Sequence, residues 1–72
     1  MQQQDYKQSL SYEEYLVWRK KVLKWLIDND LDKKDLADSI GYSKKTVYDA
    51  LGRYDRCSKF LIAAVNERMM TV

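Results

Sequence analysis

The stretch Lys33–Leu51, KKDLADSIGYSKKTVYDAL, constrains the fold of this chain more than any other. Apolar residues recur at Leu36, Ala37 and Ile40, then at Val47, Ala50 and Leu51, the spacing of a helix face. Between the two runs stands Gly41, which can turn left-handed because it has no Cβ. The pattern predicts two short amphipathic helices joined by a tight turn, the layout of a helix-turn-helix. Asp32 is expected to cap the first helix, Lys33 to about Ile40, and Gly41 to end it. Ser43 is expected to cap the second, which runs to about Leu51 and stops at Gly52.

The flanking segments also read as helices. Ser11 with Glu14 three residues later is a capping-box signature. A long helix follows, to about Asp28. Its apolar stripe is Tyr15, Trp18, Val22, Trp25 and Leu26, widened by Leu16, Leu23 and Ile27. Arg19, Lys20, Lys21 and Lys24 lie mainly off that stripe. Of the two tryptophans, Trp25 is expected in the core and Trp18 partly exposed. The segment 28–32 reads as a turn from which Leu31 plugs the core. After a loop, Arg53–Cys57, Ser58 is expected to start a fourth helix with Phe60, Leu61, Ala64, Val65 and Met69 facing inward. There is no proline, no internal repeat and no strand-like alternation. The expected fold is therefore all-α, a compact four- to five-helix domain over residues 11–72. A flexible polar tail, residues 1–10 with three consecutive glutamines, precedes it.

Composition excludes several classes. At 72 residues the chain builds one small core, and its hydrophobic fraction of 46% argues against disorder. No run of about 18 apolar residues exists, so no membrane span is expected. No signal-peptide hydrophobic region is present, and Cys57 has no partner for an internal disulfide; a cytoplasmic setting is the expectation. The chain has no histidine, which removes the commonest general base and neutral metal ligand. A lone cysteine without histidine offers no activated nucleophile. Asp28, Asp30, Asp32, Asp35 and Asp38 cluster, yet lack the glycine and closing glutamate of a calcium-binding loop. No enzyme, metal or cofactor is expected.

Thirteen basic residues against 11 acidic ones give a net charge of +2, so the placement of charge matters more than its sum. Ser43, Lys44, Lys45, Thr46, Tyr48 and Asp49 fall on or lead the exposed side of the second motif helix. These residue types suit phosphates and base edges in a DNA major groove. Lys33 and Lys34 at the first motif helix, with Arg53 and Arg56 in the following loop, are candidate backbone contacts. The alternative for each is a solvated charged face. The six tyrosines and two tryptophans exceed what so small a core can take up. Some must reach the surface, as partner contacts or as amphipathic rings with wet hydroxyls.

Leu31 to Val47, LDKKDLADSIGYSKKTV, resembles the helix-turn-helix of the phage Cro and lambda-repressor-like family, also called the Xre family. The resemblance covers about Val22 to Met69. Leu36-Ala37 is similar to the family's helix-packing pair, Gly41 to its turn glycine, and Val47 to its buried aliphatic residue. Two features depart. Lys33 stands where the family often has glutamine, so bidentate reading of adenine is lost there while phosphate contact is kept. Ala50 and Leu51 stand where a tryptophan–glutamate pair is frequent.

The resemblance implies a small DNA-binding transcriptional regulator on double-stranded DNA, a phage-type repressor or modulator. Pairing as a homodimer would supply affinity, with the fourth helix and the C-terminal residues, Met69 and Met70 among them, as the dimer surface. The alternative is an antirepressor that covers the basic DNA-reading helix of a phage repressor protein. For that role the acidic patch counts: five aspartates against Lys33 and Lys34 leave a local charge of −3 over residues 28–38.

Overall fold

In the computed structural model, which describes residues 10–71, every regular element is helical. The order is α1 (Tyr12–Asp28), α2 (Lys33–Ile40), α3 (Lys44–Gly52), a 3-10 turn (Tyr54–Arg56) and α4 (Lys59–Met70). Residues 1–9 of the expected tail lie outside the described part. Leu10, assigned to that tail, is half-buried, and its carbonyl accepts the Tyr54 hydroxyl at 2.8 Å.

Each α-helix begins at the expected cap. Ser11 and Glu14 form the complete capping box of α1. Asp32 caps α2, and Asp35 closes a second box by accepting the Asp32 N–H at 3.0 Å. Ser43 and Ser58 accept from the N–H groups of Thr46 and Leu61. Each such bond satisfies one donor that a helix start otherwise leaves without an intrahelical partner. Gly41 ends α2 at φ 78°, the left-handed conformation expected of it. Asp30, in the α1–α2 turn, also has positive φ, 58°. Leu31 packs from that turn against the core.

Gly52 behaves differently from expectation. It lies within α3 and has no left-handed backbone; Arg53, in extended conformation, is the C-cap. The last carbonyls of α3 are satisfied from α1 instead. The buried Tyr15 hydroxyl donates to the Ala50 carbonyl at 2.7 Å, and the Arg19 guanidinium donates to the Leu51 carbonyl. With those acceptors engaged, α3 does not need a left-handed glycine to close it.

The core gathers Tyr15, Trp18, Val22 and Leu26 of α1, Leu36 and Ala37 of α2, Val47, Ala50 and Leu51 of α3, Cys57, and Leu61, Ile62 and Val65 of α4. Several expectations change here. Trp18 is the buried tryptophan, 7% exposed, with its indole N–H donating to the Asn66 side chain at 2.7 Å. Trp25 packs against the core but is only half-buried, with the Arg68 guanidinium 5.1 Å from its ring. On α4, Ile62 takes the inward place expected of Phe60, which is 55% exposed, and Ala64 is half-buried. Ile62 and Asn66, four residues apart, share the side of α4 that meets Trp18, and Phe60 lies on the other side. Leu16 and Ile27, expected to widen the α1 stripe, are exposed. Cys57 is buried at the junction before α4, and burial pushes its thiol up to about 11.

Candidate nucleic-acid interface

Packing fixes which side of α3 is free. Val47, Ala50 and Leu51 are buried, so the helix turns Lys44, Lys45 and Tyr48 to solvent. α2 and α3 are the most closely associated pair of elements. The fully buried Ala37 has no side chain beyond Cβ, which permits that approach.

The four lysines of α2 and α3 separate into two kinds. Lys34 pairs with Asp38 at 3.3 Å and Lys45 with Asp49 at 3.2 Å, both one helical turn apart and solvent-exposed. Such pairs contribute only about 0.3–0.5 kcal/mol and exchange readily for another anion. Lys33 and Lys44 have no carboxylate partner among the described residues. Their ammonium groups lie over the ring of Tyr48 instead, at 5.1 and 5.8 Å from its centroid. A ring face attracts cations through its quadrupole, so one aromatic side chain holds two positive charges together. Tyr48 itself is 46% exposed. The start of α2 and the first turns of α3 thus present one basic cluster around an aromatic ring.

The other candidate residues are placed as follows. Ser43 is committed to the cap of α3: it accepts the Thr46 N–H at 3.1 Å and shares a hydrogen bond with the Thr46 hydroxyl at 2.7 Å. Asp49 is half-buried against Lys45. Arg53 and Arg56 follow the opposite end of α3, away from the Lys33–Tyr48–Lys44 cluster in sequence. Arg53 pairs with Asp55 at 3.4 Å, and Arg56 is exposed.

The acidic set is largely engaged within the chain. Asp28 pairs with Lys24 at 2.7 Å and Asp38 with Lys34. Asp32 and Asp35 hold the capping box of α2. The hydrogen bond from the Asp35 backbone, first among several, keeps the Asp32 carboxyl below its ordinary range. Asp30 is exposed in the turn. No cluster among the described residues is arranged to hold a metal ion, and none of their helices is long and apolar enough to cross a membrane.

Sequence reasoning missed Tyr15 and Arg19 as the residues that seat α3. The available signal was their spacing: four apart, they share one side of α1. No family model, curated protein or solved structure matches the chain.

Proposed function

We propose that this domain is a small DNA-binding transcriptional regulator that presents α3 to the major groove. In this reading α2, the Gly41 turn and α3 act as a helix-turn-helix. The observation that carries the proposal is the convergence of Lys33 and Lys44 on the exposed Tyr48 ring, without a carboxylate to neutralise them. The resemblance of Leu31–Val47 to the Cro and lambda-repressor-like family supports the same reading.

The roles follow from chemistry. Lys33 and Lys44 neutralise backbone phosphates and fix register. Tyr48 lies between them, where its ring meets a thymine methyl or its hydroxyl a phosphate. Lys45 exchanges its weak pair with Asp49 for a guanine edge or a phosphate. Asp49, released, accepts from a cytosine amine. Arg53 and Arg56 add contacts from the far end of α3. The acidic patch gives less support to an antirepressor role, because Asp32 and Asp35 are committed to the capping box of α2.

The test is fluorescence anisotropy of a labelled duplex titrated across salt. Non-specific binding is expected at roughly 10⁻⁴ to 10⁻⁶ M in low salt, weakening steeply as salt rises. Lys33→Ala with Lys44→Ala should lower the salt slope by about one per lysine. Lys44→Ala with Lys45→Ala should abolish binding with helicity unchanged. Binding that is absent at low salt, or indifferent to these substitutions, would remove the proposal.

A further inference from the structure

A second surface lies on α1, and its residues take no part in the basic cluster of Lys33, Tyr48 and Lys44. Glu13, Glu14, Val17 and Lys21 of α1 line an apolar groove of about 400 Å³ together with Leu10, Trp18 and Ile62. Val17 is 61% exposed and Leu16, beside it, 37%. On either side of Val17 the charges are opposite and symmetrically spaced. Glu13 and Glu14 stand four and three residues before it; Lys21 and Lys20 stand four and three after it. All four are exposed, and none forms an ion pair among the described residues; Glu14 accepts only the Ser11 N–H of the cap.

We propose that this face binds a second copy of the chain through antiparallel pairing of the two α1 helices about Val17. A two-fold axis at Val17 faces Glu13 with Lys20 of the second copy and Glu14 with Lys21 of the second copy, and the reverse. A two-fold contact must be self-complementary, and this charge pattern meets that condition. The centre is apolar: Val17 of each copy reaches the groove of the other, beside Leu10 and Ile62. A parallel arrangement would set like charges opposite one another. The surface expected from the sequence, α4 and the C-terminal residues, fits less well. Its exposed apolar residues Phe60 and Met70 stand at opposite ends of the helix. One helix pair forms a contact below about 1,200 Å², the range of weak encounters. Association is therefore expected at high protein concentration, and on DNA, where two neighbouring sites raise the effective concentration.

Sedimentation equilibrium on the full chain at concentrations up to about 1 mM tests this. The wild type should self-associate reversibly. Lys20→Glu with Lys21→Glu should weaken association about tenfold or more through like-charge contact. Glu13→Lys with Glu14→Gln should do the same, glutamine keeping the capping box. An equimolar mixture of the two variants should associate again, because the opposed charges are restored. Val17→Cys gives a check independent of charge: the native thiol, Cys57, is buried, so air oxidation should cross-link the new cysteine faster than one placed at the exposed Ala63 of α4. A wild type that stays monomeric throughout, or a mixture no stronger than either variant alone, overturns the proposal. So does equal cross-linking from positions 17 and 63.

Discussion

The two ends of α3 are held in opposite ways. At its C-terminal end, two consecutive carbonyls accept from α1, one from the buried Tyr15 hydroxyl and one from Arg19. At its N-terminal end the only side-chain cap is Ser43, and the lysines beyond it face solvent. A tertiary hydrogen bond orients a helix; an exposed lysine keeps its charge available for an anion. The difference teaches that packing fixes one end of this nine-residue helix and leaves the other exposed, which is what the proposed DNA-binding role requires. Changes at the first end should alter stability, and changes at the second should alter binding alone.

The largest effect is expected at the seat of the α2–α3 pair. Ala37→Leu inserts three carbons where no space exists, and overpacking of this kind costs about 1–3 kcal/mol or more. A domain this small should lose much of its thermal transition; an unaltered melting curve would show that Ala37 does not set the helix–helix distance. Next is Tyr15→Phe, which leaves the Ala50 carbonyl buried without its donor, at a cost of about 1–3 kcal/mol. If thermal stability is lost while residual DNA binding persists at low temperature, the division between the two ends holds. If the substitution is silent, the C-terminal end of α3 is not fixed by α1.

A smaller effect, confined to alkaline solution, comes from Cys57. Burial raises its thiol from 9.0 to about 11, so the unfolded chain loses that proton first as pH rises. Stability from this source is complete below about pH 9 and declines towards pH 11. Tyr15, raised above 10.0 chiefly by burial and then by Cys57, extends the decline to higher pH. Urea unfolding as a function of pH should show that Cys57→Ala flattens the limb between pH 9 and 11; an unchanged limb would place its origin elsewhere. The smallest effect on stability belongs to Lys44→Ala with Lys45→Ala. Surface substitutions of this kind shift stability by about 0.5 kcal/mol or less, so any larger change in melting would mean that the N-terminal end of α3 is structural as well.

Much of the fold was legible because its signals are local. Ser11, Asp32, Ser43 and Ser58 cap helices through hydrogen bonds that span three residues, and Gly41 takes a backbone conformation that other residues resist. The inward faces of α2 and α3 follow from apolar spacing alone, since short helices leave little choice of face. The candidate site was legible as a set of residue types. Their sorting was not: nothing in the order Lys33, Lys34, Lys44, Lys45 tells which two pair with aspartates and which two meet Tyr48.

The sequence by itself determined four helices, their starts, the Gly41 turn and the buried faces of α2 and α3, because hydrogen bonds and periodicity within a few residues suffice for each. Only the tertiary structure decided the rest. Trp18 is inside, where Asn66 of α4 accepts its indole N–H across 48 positions of chain, and Trp25 lies under Arg68. Gly52 stays within α3 because Tyr15 and Arg19, more than thirty residues earlier, satisfy the carbonyls that a left-handed glycine would otherwise leave to a turn. Long α1 offers more apolar residues than one face can bury, and the choice among them belongs to the partners that pack against it.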